Sequence, residues 1–129
     1  MAECAWAVLC DHAFLDAAGK MCLIGIFDRF NVKTVPTIHP KASIVVQLRG
    51  EPKEAIHFKV EIVRPGGSTL WKAEGEGEAS EAGGAGLQLT ISPLQLPDYG
   101  PYACNVFVND QLSYIARFEV GKASSGAPS

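Results

Sequence analysis

Apolar and polar residues alternate with a period of two along most of this chain. That is the pattern of strands with one buried face. Ile56, Phe58, Val60 and Ile62 share one side of such a strand, against His57, Lys59 and Glu61 on the other. Ile44, Val46 and Leu48 oppose Ser43, Gln47 and Arg49, and Leu87, Leu89 and Ile91 oppose Gln88 and Thr90. Leu112, Tyr114, Ala116, Phe118 and Val120 fall on one face of a last strand, with Ser113, Arg117 and Glu119 on the other. Sustained helical periodicity is absent. The alternation predicts eight strands, at about 5–14, 21–30, 42–49, 56–64, 69–79, 86–92, 101–108 and 112–120.

Turn chemistry separates them. Gly19 is free to take a positive φ and close the first hairpin. Pro65-Gly66-Gly67-Ser68 closes another, and Asn109-Asp110 suits a two-residue type I′ turn. Pro36 and Pro40 make Val32 to Lys41 an irregular crossover or a sheet edge. Asp98-Tyr99-Gly100-Pro101-Tyr102-Ala103-Cys104 reads as a tyrosine corner leading into the last hairpin. The expected fold is a single all-β domain over 1–121, an immunoglobulin-like antiparallel sandwich, with a jelly roll or a C2-like sandwich as the alternative. Residues 122–129, small and polar, read as a disordered tail.

A chain of 129 residues that is 47% hydrophobic has room for one core. No run approaches the ~20 apolar residues of a spanning helix. The net charge is −3 and there is no basic stripe, which disfavours nucleic acid and anionic membrane as partners. The first residues lack a basic segment followed by an apolar one, so a cytoplasmic location is expected, with Cys4, Cys10, Cys22 and Cys104 as thiols. On the first hairpin Cys22 falls opposite about Phe14, so Cys10 lies roughly 13 Å from Cys22, beyond disulfide reach. The cysteines read as small core residues, and no C-x-x-C spacing suggests zinc or redox chemistry.

Candidate chemistry is sparse. His12 lies in an apolar row with Trp6, Val8, Cys10 and Phe14, and reads as a core or inter-strand residue. Glu74, Glu76 and Glu78 share a face, which reads as a solvated strip. No D-x-D-x-D-G pattern points to calcium, and Gly83-Gly84-Ala85-Gly86 is no phosphate loop. No metal or cofactor is expected. Trp71 is the strongest candidate for a stacking platform, although core or rim packing is the plainer reading.

Leu23-Ile24-Gly25-Ile26-Phe27-Asp28 follows the Gly19-Lys20 turn and precedes the His39-Pro40 crossover. In this order, with Gly100-Pro101-Tyr102 near the end, residues 7–121 resemble a family of small uncharacterised bacterial β-sandwich proteins. The resemblance implies a fold and no activity. Within that motif, Ile24 and Ile26 are expected to fill the core, and Asp28 to cap a turn.

The leading functional expectation is a non-enzymatic binding or protein-interaction module for an unknown protein or small ligand, with Trp71, Asp28 and His39 as binding candidates. The alternatives are a small enzyme using His12 or His39 with Asp28, and a structural subunit that associates through an edge strand. The oligomeric state is left open.

Overall fold

The computed structural model describes residues 1–123. These residues form eleven strands and no helix: β1 (Glu3–Leu15), β2 (Met21–Ile26), β3 (Arg29–Val32), β4 (Thr37–His39), β5 (Ala42–Arg49), β6 (Ala55–Val63), β7 (Thr69–Glu78), β8 (Gly84–Ile91), β9 (Leu94–Leu96), β10 (Gly100–Val108) and β11 (Gln111–Lys122). One sheet has the order β2-β1-β5-β8, a second the order β3-β11-β10-β6-β7, and β4 pairs with β9 alone. All pairings are antiparallel except that of β3 with β11.

The alternating residues named above build the core. Ile44, Val46 and Leu48 of the first sheet join Val60, Ile62, Tyr102, Cys104, Val106 and Phe118 of the second in one buried cluster. Tyr102 and Phe118 stack there, with centroids 4.9 Å apart. The Tyr102 hydroxyl donates to the Asp98 carbonyl at 2.8 Å and accepts from the Asp98 N–H at 2.9 Å, so the tyrosine corner is formed as its sequence suggests. Asn109 and Asp110 both take positive φ in the β10–β11 turn. Phe14 stands opposite Cys22, the register expected for the first hairpin. All four cysteines are free thiols, and Cys4, Cys10 and Cys104 are buried.

Three further strands, β3, β4 and β9, add to the expected eight, and β11 is longer than expected. The predicted strand at 21–30 breaks at Phe27-Asp28, where the chain leaves β1 and crosses to β11 as β3. The proline crossover contains β4, paired with β9 in the segment after Pro93. β11 runs through Lys122, and the Ala123 N–H donates to the Val32 carbonyl, so the expected tail overlaps the end of this strand; its residues 124–129 lie outside the described region.

Several faces also differ. Ile24 and Ile26 were expected inside but are 56% and 67% exposed. They lie on β2, at the edge of the first sheet, where the second does not cover them. Leu112 is 51% exposed, because a bulge between Phe107 and Val106 skips Ser113 and shifts Leu112 off the buried row. His12 is exposed as well. β1 pairs with β5 only as far as Cys10, and beyond it Ala13, not His12, packs with Cys10 and Val45 in a second small cluster. The Gln88 amide reaches across from β8 to donate to the Ala13 carbonyl at 2.8 Å. No helix among the described residues is long and apolar enough to cross a membrane.

Candidate functional site

Asp11 and His39 form the most chemically specific pair. His39 Nε2 donates to Asp11 Oδ1 at 2.7 Å. Asp11 lies where β1 has just parted from β5, and Gly25 on β2 faces it. Gly25 has φ 70°, and a Cβ there would stand 2.5 Å from Asp11 Oδ2. Only glycine provides both the backbone conformation and the room. His39 closes β4, and its ring lies 4.8 Å from Phe30 and 5.9 Å from Phe27. Both phenylalanines meet Phe118 edge to face. The imidazole is thus set between a carboxylate and an aromatic cluster rooted in the core.

The partner of His39 is Asp11, and Asp28 takes no part. Asp28 is exposed; its backbone carbonyl accepts from the Glu119 N–H, and its side chain makes no hydrogen bond among the described residues, so it does not cap the turn. His12 Nδ1 is 3.1 Å from Lys41 Nζ. A carboxylate-held imidazole can act as an acid or base only with a group to take the proton from. Among the described residues, no serine, threonine or cysteine side chain hydrogen-bonds His39. No group of three or more His, Cys, Asp and Glu is placed to hold a metal among them either.

Trp71 is half-buried and packs against the main core beside Ile62, its partner across β6 and β7. A bulge between Ile62 and Val63 brings neighbouring Leu70 against the same cluster. Trp71 also lines a shallow groove of about 370 Å³ with Lys59, Glu61, Thr69 and Lys72. Glu74, Glu76 and Glu78 point to solvent on the same strand, with Glu74 2.9 Å from His57 Nε2.

The three buried thiols are held in the protonated form. Burial pushes Cys104 up to about 12 and Cys4 up to about 11, and it raises Cys10 too. Cys4 donates to the Trp6 carbonyl at 3.4 Å.

A larger apolar feature follows from the crossing at Phe27-Asp28. β2 pairs with β1 only from Cys10 onward, and β3 pairs with β11 only from Glu119 onward. Upstream of those points, β1 and β11 are each paired on one side only. Between them lies a groove of about 410 Å³, lined by Ala7, Leu9, Ile26, Phe27, Ile115 and Arg117. The Leu9 carbonyl accepts from the Phe27 N–H, and the Glu119 N–H donates to the Asp28 carbonyl. By strand alternation, Ala7 and Arg117 direct backbone groups to the same open side. At its far end the Cys4 N–H donates to Ser113 Oγ at 2.7 Å. Alternation in the sequence marks the faces of strands but not where a pairing stops, so this groove had no sequence signal.

No curated protein matches the chain. Among solved structures it is similar to the Pseudomonas fluorescens alkylpurine DNA glycosylase AlkC bound to DNA containing an abasic site analog, with a TM-score of 0.51 and 11% identity. The match covers 89% of this chain and 30% of that one, and at this identity the likeness is one of fold. Residues 5–121, nearly the whole of the strand-forming region, match a family of unknown function, DUF6941, and the chain belongs to that family.

Proposed function

We propose that this protein is a non-enzymatic interaction module that binds an extended peptide segment along the open edges of β1 and β11. The observation that carries the reading is the groove between two strands that are each paired on one side only. An extended peptide gains affinity from main-chain hydrogen bonds to such an edge and specificity from alternate side chains in apolar pockets. Ile115, 37% exposed, supplies apolar contact, and the exposed Arg117 favours an acidic residue in the ligand.

We infer an immunoglobulin-like sandwich as the scaffold. The order β1-β5-β8 in one sheet and β7-β6-β10-β11 in the other corresponds to strands A-B-E and C′-C-F-G of that fold, with Tyr102 at the start of F. Free, largely buried thiols support a reducing compartment such as the cytoplasm.

The test is selection from a phage-displayed library of unstructured peptides. Enriched peptides should bind the wild-type protein and lose at least about tenfold in affinity against Ile115→Glu. No enrichment over scrambled controls, or binding indifferent to Ile115→Glu, overturns the reading.

A further inference from the structure

We infer that β2 is a self-association edge, through which two copies of this chain form an antiparallel, two-fold-symmetric dimer. Sheet edges in soluble proteins are normally guarded by charges, prolines or a covering element. β7 carries Glu74, Glu76 and Glu78, and β3 carries Arg29. β2, with the sequence Met-Cys-Leu-Ile-Gly-Ile, carries no charge and no proline. It exposes Ile24 and Ile26, and the hairpin arm beside it exposes Phe14 and Leu15.

The backbone of β2 fixes which residues would meet. In the hairpin turn the Asp16 N–H donates to the Lys20 carbonyl. Alternating from that bond, Cys22 and Ile24 direct their backbone groups to β1, and Met21 and Leu23 direct theirs outward; the phase inverts at Gly25, whose φ is 70°, where the Phe27 N–H reaches the Leu9 carbonyl. Antiparallel pairing about a two-fold axis at Leu23 sets Leu23 beside its own copy and Cys22 beside Ile24 of the partner subunit. Leu23 belongs to the second apolar cluster, so the two clusters become continuous across the axis.

Charge favours the same arrangement. Lys20 precedes β2 and Asp28 follows it; both are exposed and neither side chain has an ion pair among the described residues. In the pairing about Leu23, Lys20 lies opposite Ile26 of the partner subunit, two residues from the partner's Asp28, and the two-fold axis repeats that attraction. A second copy of β7 on β7 would set its glutamates against one another, and β8, also without charge or proline, exposes Gly86, Gln88 and Thr90 where β2 exposes Ile24 and Ile26, so self-association selects β2. A parallel pairing, or a chain of β2 edges on β8 edges, would not close after two copies. A six-residue edge is small beside the roughly 800 Å² per partner of a standard interface, so the expected dimer dissociates in about the micromolar range.

Sedimentation velocity over about 1–500 µM tests the inference. The mass should rise from the 13.7 kDa of one chain to twice that value, without larger species. Ile24→Lys, at a solvent-exposed side chain, should weaken the dimer at least about tenfold with the thermal transition retained. Lys20→Glu should weaken it several-fold, and adding Asp28→Lys should restore it. In Ile24→Cys, mild oxidation should link Cys22 to the new thiol of the partner and give a covalent dimer on a non-reducing gel. A monomer at every concentration, open-ended growth, a dimer unaffected by Ile24→Lys, or no rescue by Asp28→Lys each overturns the assignment. None of these outcomes alters peptide binding at Ile115, which is tested separately.

Discussion

His39 Nε2 lies 2.7 Å from Asp11 Oδ1, joining the short β4 strand to β1 across 28 positions of sequence. The Asp11 side chain is 52% exposed and that of His39 24%. A hydrogen bond at such a site contributes about 0.5–1 kcal/mol. Asp11→Ala should therefore lower stability by about that amount in urea denaturation, with little change in the denaturant slope. A loss several times larger would mean that the pair organises more than the seat of β4.

Gly25→Ala tests the other side of the same contact. It forces a side chain onto φ 70° and places Cβ against Asp11 Oδ2. The expected cost is about 1–3 kcal/mol, read from the midpoint shift in denaturant. The double variant Gly25→Ala with Asp11→Gly should recover part of it, because the clash disappears while the backbone strain remains.

Tyr102→Phe removes one hydroxyl that serves both the N–H and the carbonyl of Asp98. Tyr102 is 1% exposed, so its place is apolar and well packed, and phenylalanine keeps the stacking on Phe118. The loss should be about 1–2 kcal/mol, since two backbone groups are left with poorer partners. Near-native stability would show that water replaces the hydroxyl at the corner.

The buried thiols predict an alkaline limb. Burial raises Cys104 from 9.0 to about 12 and Cys4 from 9.0 to about 11. Above about pH 9 the unfolded chain releases these protons while the folded chain retains them, so stability is complete below that pH and declines as pH rises through the folded values. Cys104→Ala should flatten the decline between about pH 9 and 11, measured by thermal melts across that range. An unchanged slope would place the alkaline sensitivity elsewhere.

At low pH the sign reverses for Asp98. The hydrogen bond from Arg64 Nε, at 2.7 Å, holds this carboxyl below its usual range. Its contribution is present above the unfolded value of 3.8 and disappears as pH falls through the lower folded value. Arg64→Met should make the acid limb shallower. Both side chains are 36% exposed, so the effect should also shrink in high salt.

Local chemistry was legible in the sequence, and long-range geometry was not. Asp98 and Tyr102 sit four residues apart, and Asn109-Asp110 carries its own turn preference, so both features could be read directly. The opposition of Phe14 and Cys22 followed from the position of the Gly19 turn. Alternation correctly sorted Ile44 and Val60 inward. It failed for Ile24 and Ile26, because a period of two separates the faces of a strand without saying whether another layer covers either one. It failed for Leu112 because one bulge at Ser113 changes the phase of everything before it. At the candidate site, His39 was visible as a residue worth following, but its partner was not: Asp28 is nearer in sequence, while Asp11 is brought in by the β1–β2 hairpin and the space at Gly25.

The crossing at Phe27-Asp28 also sets an order of events during synthesis. β3 pairs only with the final stretch of β11, so Arg29 waits for Glu119, 90 positions further along the chain (119 − 29). Until β11 has left the ribosome, the β1–β2 hairpin can form but β3 has nothing to pair with. Closure across this side of the two sheets is therefore a late, non-local step that follows the synthesis of every other strand described.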